Sequence, residues 1–339
     1  MEEKLKQALS FYDINVKSME SLNDDSDAFK LTDNTNNRYF LKIYGKNNDY
    51  DIITGRVYHT YEQIQIESEI LLLLSDSMLK TAVPLKNKNG GFVTTLMPDL
   101  DGESIFATIT SFIDGLTTEY TQVPTIDMAY VAGATAARLH LESKKKLLPV
   151  AVKRLHKRQD YIRKIKELLA KGINIGTLTV AQYKMVIQCC DAVMDCMNQL
   201  DKDMGNNVGL VHTDINHGNI VYTQNHGTLV DFSRSVYSYY LYDLGEMCLH
   251  ENFGGSSSEL QNAILRGYHS VKPLNEYHLF AMQVLFSMFI LILMAMNIES
   301  KQNIWLENVL KWFADEVHPG LISGKGYLGS SVFENIFTV

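Results

Sequence analysis

Two apolar stretches flanking a polar loop, with an acidic turn after them, constrain this chain more than any other feature. Leu210-Val211 leads into His212-Thr213-Asp214-Ile215-Asn216-His217-Gly218-Asn219, and Leu229-Val230 runs into Asp231-Phe232. The pattern reads as strand, loop, strand and turn. Asp214 stands five positions before Asn219, and Asp231 twelve after it. A short loop between two strands can bring all three to one point. Phosphoryl transfer from ATP needs such a set: one carboxylate orients an attacking hydroxyl and accepts its proton, while an amide oxygen and a second carboxylate hold Mg2+ against the phosphates. On that chemistry Asp214 is the candidate catalytic base. Asn219 and Asp231, which both offer hard oxygen donors, are the candidate magnesium ligands. An isolated loop Asp commonly caps its own turn; the ordered context argues for the base.

The chain has 339 residues, 46% hydrophobic and 21% charged, enough for one bilobal enzyme or two domains. Its net charge of -8 argues against a general nucleic-acid binder and favours a cationic small substrate over an anionic one. Cys189, Cys190, Cys196 and Cys248 form no C-x-x-C pair and read as reduced core thiols. The start, Met1-Glu2-Glu3-Lys4, is charged and lacks an apolar signal core, so the expected location is the cytoplasm.

Periodicity gives an amphipathic helix over 4–13 and strands over Asn15–Met19, Ala28–Leu31 and Tyr39–Tyr44, the last two split by an Asn/Asp turn. A helix follows over 57–75, with Ile64, Ile70, Leu71 and Leu74 on one face. Asn87-Lys88-Asn89-Gly90-Gly91 predicts a hairpin between Val83–Leu85 and Phe92–Leu96, and a last strand covers Ser104–Thr110. From about residue 125 helical periods dominate, apart from the strands around 210–232. Residues 254–258 read as a flexible loop.

The His212-x-Asp214-(x)4-Asn219 loop with its Asp231-Phe232 turn resembles the aminoglycoside phosphotransferase and choline kinase superfamily, which includes homoserine kinase-like and spectinomycin phosphotransferase-like enzymes. Arg38-Tyr39-Phe40-Leu41-Lys42-Ile43-Tyr44 is similar to its lysine strand, Ser111-Phe112-Ile113-Asp114-Gly115 to its hinge, Val131 through His140 to the helix after the hinge, and Tyr240-Leu241-Tyr242-Asp243-Leu244 to the segment whose aspartate supports the catalytic loop. Five signals in family order cover roughly residues 15 to 250.

The resemblance implies an α+β, bilobal protein-kinase-like fold. Residues 1–110 would form a nucleotide-binding lobe with a small antiparallel sheet, 111–115 the hinge, and 116–339 a mainly helical catalytic and substrate lobe. It implies an ATP- and Mg2+-dependent kinase that phosphorylates a hydroxyl of a small, amine-bearing molecule: an aminoglycoside or spectinomycin-type antibiotic, or an amino alcohol such as homoserine or choline. Lys42 would bridge the α- and β-phosphates; a lysine on so apolar a strand needs a partner, and Glu67, on the apolar face of the 57–75 helix, stands ahead of Glu69 for that role. Backbone groups of Ser111, Phe112 and Ile113 would meet the adenine edge, and Ser26 a phosphate. His212 and Asp243 would support the loop. The family often carries another acid two places after Asp231; here that place is Ser233, which leaves one carboxylate for the metal.

Several features keep two readings. A non-catalytic pseudokinase, or a spore-coat-like binding protein, could share the fold; its usual mark, loss of the lysine, aspartate or asparagine, is missing here. No segment resembles a protein-kinase activation segment. The tyrosines at 237, 239, 240 and 242 suit core packing or an ammonium cage. Residues 141–172 hold eleven Lys and Arg against three acids, a solvated face or a surface for an anionic partner. Leu279–Ile298 is long and apolar enough to span a membrane, and equally suits the central helix of a large helical lobe; the second reading is favoured. GTP could replace ATP.

Overall fold

The computed structural model describes residues 2–22, 27–44, 50–51, 53–97, 104–118, 123–223, 226–249, 257–300, 303–333 and 336. Helix α1 (Glu2–Ser10) precedes β1 (Val16–Ser21), β2 (Ala28–Asp33) and β3 (Arg38–Tyr44). A short hairpin of β4 (Tyr50–Asp51) and β5 (Arg56–Val57) leads to α2 (Tyr61–Ser75), and β6 (Thr94–Leu96) and β7 (Ile105–Ser111) follow. Strands β1, β2, β3, β7 and β6 form one antiparallel sheet in that order.

Alternation along β3 sorts its side chains. Leu41 and Ile43 join Phe29, Leu31, Ala107 and Ile109 on the face that packs against Leu5, Ala8 and Tyr12 from α1 and its exit. The opposite face carries Tyr44, which packs with Phe106, Val93 and Ile64 of α2, and next to it Lys42. Thr60 caps α2 by accepting from the Gln63 amide at 3.3 Å, and Ile64, Glu67, Ile70, Leu71 and Leu74 are buried on it.

The expected hairpin between Val83–Leu85 and Phe92–Leu96 does not form. Both segments lie along the same outer edge of β7 instead: β6 pairs with Ile105–Ala107, while Leu85 donates to Ile109 O and Ser111 to Val83 O, each at 2.8 Å. The Asn87 turn is present, its amide donating to Gly91 O at 2.7 Å, so the local turn signal was sound while the pairing partner was tertiary.

The remainder is mostly helical: α3 (Ile126–Glu142), α4 (Leu148–Ala151), α5 (Gln159–Ile175), α6 (Val180–Leu200) and α7 (Met204–Asn207). Next come β8 (Val208–Val211), β9 (Ile220–Thr223), β10 (His226–Leu229) and β11 (Val236–Tyr239), then α8 (Tyr240–Leu249), α9 (Ser258–Val271), α10 (Glu276–Asn297), α11 (Ile304–Trp312) and α12 (His318–Ile322). Strand β8 pairs with β11 and β9 with β10, so the loops 212–219 and 230–235 run side by side. Leu116 and Tyr222 exchange two 2.8 Å backbone hydrogen bonds, which ties the segment leaving β7 to β9.

Helices α3 and α9 cross with their backbones in contact. A Cβ on Gly133 would stand 2.0 Å from Ile264 O, and one on Gly267 2.0 Å from Tyr130 O. The apolar run at 279–298 lies in α10, and 72% of its most apolar window is buried inside the protein against its neighbours, as a core helix is. The four cysteines are buried and unpaired.

Candidate active site

The loop between β8 and β9 is held from below by Asp243 of α8. Asp243 Oδ2 accepts from the His212 amide at 2.9 Å and Oδ1 from the Thr213 amide at 2.8 Å. His140 of α3 stands 2.9 Å from the same Oδ2 and, through Nδ1, 2.8 Å from the Tyr268 hydroxyl of α9. His140, His212, Asp243 and Tyr268 are buried, and Thr213 is half-buried. Burial lowers the proton affinity of His140, and Asp243 opposes it. Thr213 takes a positive φ of 59°, which a β-branched residue adopts only under constraint; its hydroxyl donates to Arg234 O at 2.8 Å. His212 Nε2 lies 3.0 Å from Val230 O and its ring packs on Phe232, so it joins the two loops.

Two amides orient the Asp214 carboxylate. Asn216 Nδ2 donates to Oδ1 at 2.8 Å, and Asn219 Nδ2 donates to Oδ2 and to the Asp214 carbonyl, both at 2.9 Å. With its amide nitrogen so engaged, Asn219 keeps its amide oxygen for a cation. The Val230 amide donates to Asn219 O at 3.0 Å, which brings Asp231 beside it. Asp231 also has positive φ, 58°. Burial opposes its charge, yet Lys42 and Ser233 hold its carboxyl below the usual range.

Lys42 and Asp231 form a 2.9 Å ion pair, and this corrects the expectation that Lys42 pairs directly with a carboxylate of α2. Glu67 is buried near Lys42 and accepts from the Tyr44 hydroxyl at 3.3 Å. Burial pushes its carboxyl up to about 7 against the pull of Lys42. Burial also works against the Lys42 ammonium, but Asp231, Tyr44 and Glu67 together raise its proton affinity. Glu69 points elsewhere, 3.5 Å from Lys153.

In the expected hinge, the Ser111 amide is committed to Val83 O at 2.8 Å and the Phe112 amide to Arg38 O at 3.0 Å. Their N–H groups are therefore not available to a base, and of the three predicted residues only Ile113 could offer one. Ser26 lies outside the described residues, as does most of the 254–258 loop.

The sequence profile of the phosphotransferase enzyme family matches residues 21–281, most of the chain. The chain belongs to this family. It is a small-molecule phosphotransferase with an alcohol acceptor. No curated protein matches it. Among solved structures it is similar to a microcompartment-associated aminopropanol kinase, with a TM-score of 0.72 at 18% identity over 97% of this chain and 99% of that one. An amicoumacin kinase in complex with AMP-PNP, Ca2+ and Ami gives 0.62 at 18% identity over 96% and 94%. A spectinomycin phosphotransferase with ADP and spectinomycin gives 0.54 at 16% identity over 96% and 97%. These likenesses establish the bilobal protein-kinase-like fold.

The phosphotransferase does not leave its tyrosine cluster open for a ligand. Tyr237, Tyr239, Tyr240 and Tyr242 are buried, and the chain's own cations stack on them: Arg158 on Tyr237 and Tyr239, Lys157 on Tyr242 and Lys272 on Tyr240, at 5.5 to 6.0 Å. Sequence reading missed Asn216, Arg154 and the part His140 plays. An Asn two places after Asp214 is a local side-chain–backbone signal that could have been used. Arg154 was hidden in a basic run most of whose other members are exposed.

Proposed function

We propose that this phosphotransferase transfers the γ-phosphoryl group of ATP, with Mg2+, to the hydroxyl of a small amine-bearing molecule, and that it acts in the cytoplasm. The observation that carries the reading is the convergence of Asp214, Asn219, Asp231 and Lys42, drawn from three separated stretches of sequence onto one site. Asp214, fixed by two amides, would accept the acceptor's hydrogen bond and then its proton. Lys42 would meet the phosphate oxygens, releasing Asp231 as it does so. Asp231 and the Asn219 amide oxygen fit a hard, oxygen-seeking cation. Bound there, Mg2+ would neutralise phosphate charge, with Asp231 as its protein carboxylate.

The amine is supported by the acidic balance of the chain, net -8, and by the aminopropanol, amicoumacin and spectinomycin named for its structural neighbours. The test is ADP release against a panel of amino alcohols, aminoglycosides and spectinomycin, with Asp214→Asn as control. Turnover of an amine-free sugar in preference to every amine would overturn the acceptor class, and metal-independent turnover would overturn the cofactor.

A further inference from the structure

Arg154 lies between α4 and α5 and is only 2% exposed. All five of its guanidinium N–H groups are used. Nε donates to Ser235 O at 2.8 Å, Nη2 to Phe232 O at 2.9 Å and to Ser233 O at 2.5 Å, and Nη1 to Gln63 O at 3.0 Å and Gln63 Oε1 at 3.1 Å. Three of these acceptors belong to the turn that follows Asp231. The other two belong to the first turn of α2, the helix that carries Glu67 four residues further on.

Every one of these acceptors is neutral. A buried cation with no carboxylate against it is costly, and burial pushes the guanidinium down to about 10 while Glu67 opposes the shift. Apolar side chains would join the same two segments at lower cost. They could not fix the direction of three carbonyls in one turn, which a planar fork of five donors does. That turn needs fixing, because Asp231 holds a positive φ that surroundings must impose on a non-glycine residue.

We infer that Arg154 is a positioning residue for the metal. It clamps the 232–235 turn so that the Asp231 carboxylate stays directed at Lys42 and beside Asn219, and it locks that turn to α2 and so to Glu67. The inference rests on the reading of Asp231 as a magnesium ligand. It also removes Arg154 from the basic surface that could meet an anionic partner, since no donor is left to point outward.

The test is Arg154→Ala in the full chain, read by calorimetric ADP binding with and without Mg2+ and by steady-state turnover. The gain in ADP affinity from Mg2+ should fall about 10- to 100-fold, and the Mg2+ midpoint of turnover should rise with it, while metal-free ADP binding and the acceptor KM stay within about twofold. Guanidinium ion should restore the metal dependence of Arg154→Ala. Arg154→Lys should remain defective, since an ammonium presents its donors from a single point. If Arg154→Ala does not fold, Gln63→Leu, which removes one side-chain acceptor, gives the same readout with a smaller shift. Unchanged metal dependence in the folded variant overturns the inference, as does an equal loss of ADP affinity with and without metal. If wild-type ADP binding ignores Mg2+, the metal reading itself fails and takes this inference with it; ADP that binds through Mg2+ in both proteins sinks only the role of Arg154.

Discussion

Lys42 and Asp231, 189 residues apart in the chain, meet at 2.9 Å and join the sheet to the loop that follows β10. One partner comes from the β3 face opposite α1, the other from a turn forced into positive φ. Lys42→Met removes the proposed phosphate donor and leaves Asp231 without its counter-charge. Loss of one positioned donor to a transferring group costs roughly 100- to 1000-fold in turnover, and kcat/KM for ATP should fall by that order. A variant within threefold of wild type, measured by ADP release, would remove Lys42 from the site.

Asp214 and Asp231 should fail in different ways. A positioned base contributes on the order of 100- to 10,000-fold in rate, so Asp214→Ala should lower kcat by that order and leave ATP affinity near wild type. Asp231→Ala should weaken Mg-ATP binding as well as turnover. Titration calorimetry beside steady-state kinetics separates the two, and identical losses in both would show that the roles are misassigned.

Glu67 gives a pH signature. Its carboxyl is raised from 4.5 to about 7, so the folded protein binds the proton more tightly than the unfolded chain does. The stability this proton supplies is full below about 4.5 and is lost as pH rises to about 7, where the loss levels off. At roughly 1.4 kcal/mol per pKa unit the effect is on the order of 3 kcal/mol. Glu67→Gln cannot titrate. Urea unfolding at intervals from pH 5 to 8 should show the variant gaining on wild type as pH rises; parallel curves would place Glu67 in water.

Asp243, buried with His140 beside it, accepts two loop amides, one from buried His212 and one from half-buried Thr213. Asp243→Ala leaves these donors without acceptors, at about 1 to 3 kcal/mol for each buried group left unsatisfied. Unfolding stability should drop by several kcal/mol, and activity should drop with it as Thr213 loses the bond that sustains its positive φ. A fully stable, inactive variant would mean that Asp243 does chemistry instead of support.

The sequence displayed the sheet-then-helices order, the catalytic loop and the lysine strand, because each is written in local period or fixed spacing. The burial of Glu67 and the partial exposure of Glu69 toward Lys153 follow from which helical face each occupies, although neither pairs with Lys42. What stayed hidden was pairing across the fold. Nothing near Lys42 says that Asp231 will be its partner. Nothing near Val83 says that it will run along β7. Arg154 looks like its neighbours Lys153 and Lys157 until the structure shows it buried. The amides of Ser111 and Phe112 illustrate the same limit, for a motif names the residues of a hinge but not which of their N–H groups are already spent.

Gly133 and Gly267 set a distance that the rest of the protein inherits. Helix spacing ordinarily follows the side chains at the contact. Where α3 crosses α9 it follows the thickness of two backbones, a length that mutation elsewhere cannot change. His140 rides on one of these helices and Tyr268 on the other, and together they reach Asp243. The height of the catalytic loop is thus gauged from bare peptide, and the surrounding apolar residues can drift over generations without detuning it, while a single methyl group at either glycine would wedge the gauge open.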